Sequence, residues 1–263
     1  MRHRLEPASA LPHPRLMPTY QPRHRLFVAA ALAAGAAVPL SAAQAHYLAD
    51  VLRLKAGAEV AVFNGRDGEW SARLVANGRR DLSLAILALR RPQASEPDLW
   101  LCFAPIKHAR IDTVAEKAGE LGAAVLQPVL TRRTNVTRVN RARLAANALE
   151  AAEQCERLTV PEVREPVPLP RLLADWPADR KLLFCDESGE GLAIADALAA
   201  EPRGGAWAIL VGPEGGFAAE EQAMLRLLPA ARAVSLGPRV LRADTAAIAA
   251  LTLWQALLGD WRR

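Results

Sequence analysis

The chain has 263 residues, of which 51% are hydrophobic and 23% charged, a composition typical of a globular protein that buries a substantial core. Its formal net charge of +5 and its pI near 9.5 favour a polyanionic partner without identifying one. Cys102, Cys155 and Cys185 are odd in number and lie in apolar surroundings, which predicts reduced core thiols in a cytoplasmic protein. The five histidines show no ligand spacing, so we expect no metal site.

Two N-terminal segments, residues 1–22 and 23–45, differ in composition from the rest of the chain. Residues 1–22 are rich in proline and arginine, which predicts a disordered basic extension, and Met17 is a second candidate start. The stretch from Arg23 to Ala45 imitates a secretory signal, with a basic flank, an apolar run and small residues. Gly35 and Pro39 interrupt the apolar run, but from these residues alone a segment of a folded domain and a secretory signal both stay open. N-terminal sequencing of the native protein would separate the folded domain from an exported protein.

From Ala58 to Arg90 the sequence predicts only strands. Asn64-Gly65, Asp67-Gly68 and Asn77-Gly78 interrupt alternating apolar residues, and such pairs are the strongest short signals for hairpins. A small antiparallel barrel is therefore predicted, followed by a linker from Arg91 to Pro97.

After the linker, buried strands alternate with helices, which is typical of an α/β domain with a parallel sheet. The predicted strands are Leu99–Ala104, Lys181–Cys185, Trp207–Val211 and Ala233–Ser235. The predicted helices are Ile111–Leu121, Leu144–Leu158, Leu192–Ala200, Glu220–Leu228 and Thr245–Leu258.

Two of these strands run into glycine-proline turns. The first turn holds Glu214 between Gly212-Pro213 and Gly215-Gly216, and the second is Gly237-Pro238. Glycine permits positive φ and removes the Cβ atom that would hold a ligand away from the backbone. Such junctions at neighbouring sheet edges usually define a ligand crevice in α/β folds.

The sequences VGPEGGF and SLGPRVLRADTA closely resemble the second and third motifs of the SPOUT methyltransferases. Within that superfamily the chain resembles the ribosomal RNA small subunit methyltransferase E family. Two further segments carry this resemblance, KHARIDTVAEKAGELGAAVLQPV and AAEQCERLTVP. The N-terminal opening is similar as well: a strand at RLFV, a loop near Val38-Pro39-Leu40 and a helix holding His46. This resemblance implies a folded domain with no membrane segment, in place of a secretory signal. The chain departs from the family at His108, where a glycine is usual, and at Ala243-Asp244, where Thr-Glu is usual.

The resemblance implies a PUA-like RNA-binding β-barrel over residues 23–91 and a trefoil-knotted SPOUT α/β methyltransferase domain over residues 92–263. It implies methylation of N3 of one uridine in 16S rRNA of the 30S subunit, with S-adenosylmethionine as donor. The cofactor-binding residues it implies are Leu210, Gly212, Pro213, Glu214, Gly215, Gly216, Leu236, Gly237, Pro238, Leu241 and Arg242.

Uridine N3 is protonated near neutral pH, so its proton must leave as the methyl group arrives. A positioned carboxylate or a cation that stabilises the uracil anion would serve. Glu153, Glu214 and Asp244 are candidates for the first role and Arg242 for the second, although Glu214 alternatively caps amides of its own loop. The expected RNA contacts are Arg23, Arg25, Arg132, Arg133, Arg138, Gln154 and Arg157. A solvated arginine surface and an i,i+4 pair of Glu153 with Arg157 are the alternatives.

The last predicted helix is apolar almost all round, and a helix without a polar face must be covered on every side. SPOUT enzymes typically dimerise through this region, so we expect a homodimer that covers Ile248, Leu251, Leu253, Trp254 and Leu257.

Two other functions remain to be weighed. A ribose 2′-O-methyltransferase of the same superfamily is disfavoured by the barrel and by the helix containing Glu153-Gln154. A non-catalytic RNA-binding module is disfavoured because it would not need the backbone free of side chains that Gly212, Gly215, Gly216 and Gly237 offer to a cofactor.

Overall fold

The computed structural model describes residues 24–78, 81–136 and 138–261. The predicted basic extension and Arg23 lie outside the described residues. The first domain comprises β1 (Arg25–Phe27), β2 (Ala37–Pro39), α1 (Ala42–His46), a π-helical turn (Tyr47–Val51), β3 (Glu59–Phe63), β4 (Glu69–Ala76) and β5 (Leu82–Arg91).

The first domain is a mostly antiparallel five-stranded sheet in the order β1-β3-β4-β5-β2. The predicted hairpins β3-β4 and β4-β5 are confirmed. Gly68 is required where β4 begins, because its φ is +81° and a Cβ there would lie 2.4 Å from the carbonyl oxygen of Arg91. Strand β1, which precedes the segment predicted to be antiparallel, runs parallel to β3. The 31 residues between them supply the long crossover that a parallel pair needs, and this crossover holds β2 and α1.

The loop predicted near Val38-Pro39-Leu40 is in fact β2, which pairs antiparallel with β5. Pro39 is tolerated because β2 is an edge strand, where a missing N–H donor leaves no ladder bond unmade. The helix expected around His46 is confirmed. Ser41 caps it and forms a reciprocal capping box with Gln44.

The second domain is an α/β unit. It comprises β6 (Leu99–Phe103), α2 (His108–Glu120), β7 (Val125–Leu130), α3 (Arg141–Gln154), β8 (Glu162–Val163), β9 (Val167–Pro168), α4 (Leu169–Ala174), β10 (Arg180–Cys185), β11 (Leu192–Ala193), α5 (Ile194–Ala199), β12 (Ala206–Val211), α6 (Ala219–Leu227), β13 (Ala231–Ser235) and α7 (Ala243–Leu257).

The strands of this domain form a parallel sheet in the order β11-β13-β10-β12-β6-β7-β8, with β9 also pairing β7. Helices α2, α3, α5 and α7 pack into one apolar cluster on one face, and α4 and α6 into another on the opposite face. The central strands are buried on both sides, which explains why their sequences are continuously apolar.

Arg25 joins the two domains and is not a surface residue. Its guanidinium donates to the carbonyl oxygens of Ala152 (2.7 Å), Glu153 (2.9 Å) and Arg157 (2.7 Å) near the C-terminal end of α3. It also pairs with Glu69 at 2.7 Å, and its side chain is only 8% exposed. Burial alone would raise the pKa of Glu69, but hydrogen bonds from Arg91 and Arg25 outweigh it and hold that pKa below its usual value.

Arg157 is buried in the same region, with its side chain 8% exposed. It donates to the carbonyl oxygens of Gly119 (2.7 Å), in the last turn of α2, and Ala123 (3.0 Å), just beyond that helix, and it pairs with Glu96. The predicted RNA contacts of Arg25 and Arg157 are therefore corrected, because both guanidinium groups bind carbonyl oxygens at helix ends and the carboxylates of Glu69 and Glu96.

Three further observations concern the described part of the chain. Cys102 is buried and Cys185 partly buried, but Cys155 is exposed, so the prediction of a core thiol is wrong at Cys155, where α3 ends and the chain turns away. No described helix is long and apolar enough to cross a membrane. No cluster of three metal-ligating side chains occurs among the residues that the structure describes.

Candidate functional site

A cavity of about 420 Å³ lies at the carboxyl ends of three adjacent parallel strands, β12, β10 and β13. The two glycine turns lie after the outer strands of this trio, and the loop after β10 lies between them. The sequence placed the glycine turns on neighbouring strands, whereas the structure inserts β10 between them. The cavity therefore has three walls from three strand-to-loop junctions, the position at which open α/β sheets bind ligands.

The glycines of the first turn differ in their backbone conformation and in the atoms that lie where a side chain would be. The φ of Gly216 is +68°, and its N–H donates to the carbonyl oxygen of Pro213 at 2.9 Å, which closes the turn. A Cβ on Gly212 would lie 3.0 Å from the ring of Phe217, so that ring packs directly against the glycine. A Cβ on Gly215 would meet only the side chain of Arg133, at 3.5 Å, which is ordinary contact.

Glu187, in the loop after β10, is a site residue that the sequence did not single out. Its Oε1 accepts a hydrogen bond from the N–H of Phe217 at 3.0 Å. A Cβ on Gly216 would lie 1.8 Å from that same oxygen, so the carboxylate occupies the space that glycine leaves free. One feature of the sequence could have identified Glu187: like Glu214, it follows a buried strand.

Two neighbours of Glu187 also line the cavity. The side chain of Asp186 is fully buried, and it pairs with Arg226 at 2.7 Å. Burial raises the pKa of the Cys185 thiol to about 12, and the nearby charge of Glu187 adds to the rise. Cys185 is therefore a neutral wall residue at physiological pH, not a thiolate nucleophile.

Arg133, predicted as an RNA contact, lines this cavity. Its Nη1 donates to the carbonyl oxygen of Gly215 at 2.7 Å. The loop that carries it is held by Glu221, whose two oxygens accept the N–H groups of Arg132 (2.8 Å) and Ala218 (2.9 Å). Glu221 thus supplies the cap that Ala218 cannot, and it ties the arginine-rich loop to the start of α6.

Nine of the eleven predicted cofactor residues line the cavity, and the two others are Leu210 and Arg242. Leu210 points into the core on the opposite face of the sheet, while Val211, its neighbour, lines the cavity. Because successive side chains of a strand point to opposite faces of the sheet, Val211 lines the cavity in place of Leu210. Residues that line the cavity without having been predicted for the cofactor are Arg133, Cys185, Asp186, Glu187, Gly189, Val211, Val234, Ser235, Arg239, Val240, Ala243 and Ala246.

The four catalytic candidates lie in three places. Glu214 is exposed and lines the cavity. Arg242 is the N-cap residue of α7 and Asp244 lies in its first turn, directly after the second glycine turn, but neither side chain lines the cavity. Glu153 lies at the domain interface, where its Oε1 accepts the N–H of Phe27 at 2.8 Å. Burial raises the pKa of Glu153, although that hydrogen bond and the charge of Arg25 oppose the rise.

The remaining RNA candidates are on the surface. Arg132 is exposed and lies 3.4 Å from Glu220, in an ion pair that water screens. Arg138 and Gln154 are exposed as well. Contact of these three side chains with RNA stays a prediction.

Comparison with known proteins gives two family matches. Residues 94–255 match the model described as RNA methyltransferase domain, and residues 40–87 match the model described as RNA methyltransferase PUA domain. The chain is 30% identical over 229 residues to Ribosomal RNA small subunit methyltransferase E of Rickettsia conorii, covering 87% of this chain and 93% of the relative.

Two solved structures are similar over almost their whole length. A methyltransferase from Legionella pneumophila in complex with its cofactor SAM has a TM-score of 0.82 and 29% identity, covering 90% of this chain and 98% of that one. A ribosomal RNA small subunit methyltransferase E from Neisseria gonorrhoeae, bound to S-adenosyl methionine, has a TM-score of 0.81 and 27% identity, covering 90% and 99%. The predicted fold class, a SPOUT-type α/β domain preceded by a PUA-like domain, is confirmed.

Proposed function

The chain belongs to the ribosomal RNA small subunit methyltransferase E family, and from this we propose that it transfers the methyl group of S-adenosylmethionine to N3 of one uridine in 16S rRNA. The observation that carries the proposal is the cavity at the ends of β12, β10 and β13, with both glycine turns of the family motifs in its wall. Its substrate would be the RNA of the small ribosomal subunit, which places its action in the cytoplasm.

The cavity suits S-adenosylmethionine in size and in chemistry. Its volume of about 420 Å³ lies within the range of small-molecule sites. Gly212, Gly215 and Gly237 expose backbone without side chains, and the carboxylates of Glu187 and Glu214 offer negative charge to a cationic ligand. When bound, S-adenosylmethionine supplies a methyl group on a positively charged sulfur.

The chain's own residues would deal with the uridine proton. Glu214 lies at the cavity and is the candidate that accepts the proton from N3, while Arg242 stabilises the negative charge that develops on uracil. Asp244, in the first turn of α7, is the alternative acceptor. Glu153 is the weakest candidate because its carboxylate already serves the domain interface.

The test is a map of methylated nucleotides in 16S rRNA from cells with and without the gene. We expect loss of a single N3-methyluridine, and its return when the gene is restored. Restoration with Glu214→Gln should return little of the modification, whereas Glu153→Gln should return most of it, because an amide oxygen can still accept the N–H of Phe27. An unchanged map, or loss of a 2′-O-methyl group instead, would contradict the proposed reaction.

We also propose that the active form is a homodimer built on α7. Leu251 and Trp254 do not need a partner subunit to cover them, because they are buried within the single chain, at 0% and 1% exposure. Ile248, Leu253 and Leu257 are only partly buried and leave apolar area on the flanks of the helix. A C2 pairing of α7 with its copy would cover that area.

Leu253→Glu is the variant that tests the dimer. We expect it to convert a dimer into a folded monomer, since a carboxylate at the centre of an apolar interface is left unpaired. Leu227→Glu is the matched control, because Leu227 is apolar and 80% exposed on α6, away from α7. Light scattering gives the mass of each. A wild-type protein that is monomeric and fully active at micromolar concentration would exclude the dimer.

A further inference from the structure

A second cavity, of about 410 Å³, has no role in the function proposed above. Ile106, Ile111, Val136, Val139 and Leu144 give it apolar surface. Its polar lining consists of Asp112, Arg138, Asn140, Arg141 and Arg143. Three guanidinium groups and one carboxylate leave the lining with a net charge of +2.

This cavity lies at the same edge of the sheet as the cofactor cavity. Ile106 follows β6, and the segment from Val136 to Leu144 follows β7 and begins α3. Strand β6 pairs with β12, whose end forms the first cavity, and β7 pairs with β6. The two cavities are therefore neighbours along one edge of the sheet.

The loop after β7 connects the two cavities. Arg133 lies in the wall of the first and is bonded to Gly215, while Arg138 and Val139 line the second. Glu221 fixes the backbone of this loop at Arg132, beside the first cavity.

The three arginines differ in their availability to a ligand. Arg143 pairs with Asp112 at 2.5 Å, and Asp112 also accepts from Asn147 at 3.0 Å, so these groups brace the wall. Arg141 pairs with Glu165 at 3.1 Å in an exposed contact, and such a contact is easily exchanged for another anion. Arg138 is exposed and forms no ion pair with a carboxylate of the described residues. An anion at this cavity would meet Arg138 first.

We infer that this basic cavity holds a nucleotide of the substrate RNA that flanks the methylated uridine, with the base against the apolar wall and the phosphate on Arg138 and Arg141. The inference rests on the proposed function, since it requires an RNA substrate at the neighbouring cavity. The combination of an aliphatic wall with a cationic rim suits a nucleotide better than inorganic phosphate, which needs no apolar wall.

The test compares Arg138→Glu with Arg171→Glu, a control of equal charge change at an arginine whose side chain is 77% exposed on α4. The probe is a labelled single-stranded oligonucleotide that spans the methylated uridine of 16S rRNA, titrated with the full chain and no methyl donor. We expect Arg138→Glu to weaken binding by about tenfold or more, because a charged hydrogen bond to phosphate is replaced by repulsion. Arg171→Glu should change binding by no more than about twofold.

Two further measurements complete the experiment. Uridine 5′-monophosphate should displace the oligonucleotide at a concentration about tenfold lower than inorganic phosphate does, because only the nucleotide contacts the apolar wall. S-adenosylmethionine affinity, measured by calorimetry, should be the same for both variants and the wild type.

Equal binding by the two variants would overturn the inference, as would equal competition by the two small molecules or no binding of the oligonucleotide to the wild type. A wild type that binds the oligonucleotide but methylates neither 16S rRNA nor 30S subunits would contradict the proposed function, and the comparison of variants would still decide the cavity.

Discussion

Gly216→Ala is expected to lower the affinity for S-adenosylmethionine by at least about 100-fold, or roughly 2.7 kcal/mol. The added methyl group would lie 1.8 Å from Oε1 of Glu187, so the two cannot occupy their present positions together. Either the Glu187 carboxylate swings away and abandons the N–H of Phe217, or the glycine turn lifts. Both movements change the wall of the cofactor cavity.

Calorimetry measures the affinity, and circular dichroism measures the accompanying loss of stability. The control is Gly204→Ala, since Gly204 also has a positive φ, +83°, but a Cβ there meets nothing within 4 Å and the residue lies outside the cavity. Both variants should lose about 1 to 2 kcal/mol of stability from the left-handed backbone. Only Gly216→Ala should lose the ligand. A folded Gly216→Ala protein with wild-type affinity would show that this turn does not hold the cofactor.

Arg25→Ala is expected to reduce the free energy of unfolding by about 3 to 5 kcal/mol. The substitution leaves three carbonyl oxygens at the end of α3 without their donor. It also removes one cationic partner of the buried carboxylate of Glu69. Arg25→Lys should recover little of the loss, because a single ammonium group cannot reproduce the fork that reaches all four acceptors.

Arg73→Ala is the control for Arg25, because Arg73 lies in the same domain and pairs with Glu59 at 3.1 Å while 52% exposed. We expect it to cost no more than about 1 kcal/mol. Equilibrium urea unfolding followed by tryptophan fluorescence measures both. If Arg25→Ala unfolded at the same urea concentration as the wild type but bound RNA more weakly, Arg25 would be an RNA contact after all and the interface described here would be wrong.

Correct predictions from sequence came from signals that are local. The hairpins of the first domain follow from Asn-Gly and Asp-Gly pairs, whose backbone preferences act over two residues. The strands β6, β10 and β12 follow from short apolar runs that only a sheet buried on both faces accommodates. Because parallel strands present their carboxyl ends at one edge, the two glycine turns were also correctly expected to share a crevice.

Two of the predicted RNA contacts, Arg25 and Arg157, were wrong because the partners of these side chains come from distant parts of the chain. Arg25 bonds to carbonyls more than 120 residues away, and Arg157 to carbonyls more than 30 residues away. An arginine is solvated by default, so no local pattern distinguishes one that a helix end will bury. On α7, composition showed that little of the surface is polar, but only the packing of α2, α5 and the sheet decided that Leu251 and Trp254 face inward.

The sequence by itself therefore determined where the hairpins, several buried strands and the two glycine turns fall along the chain, because each depends on backbone preferences or on the apolar content of a short segment. The tertiary structure alone decided that Glu187 and Arg133 enter the cofactor cavity, that Arg25 locks the domains together and that a second basic cavity opens beside the first. These arrangements depend on which loops the parallel sheet brings to one edge. The side chains that are buried or form ion pairs at that edge come from residues far apart in the chain.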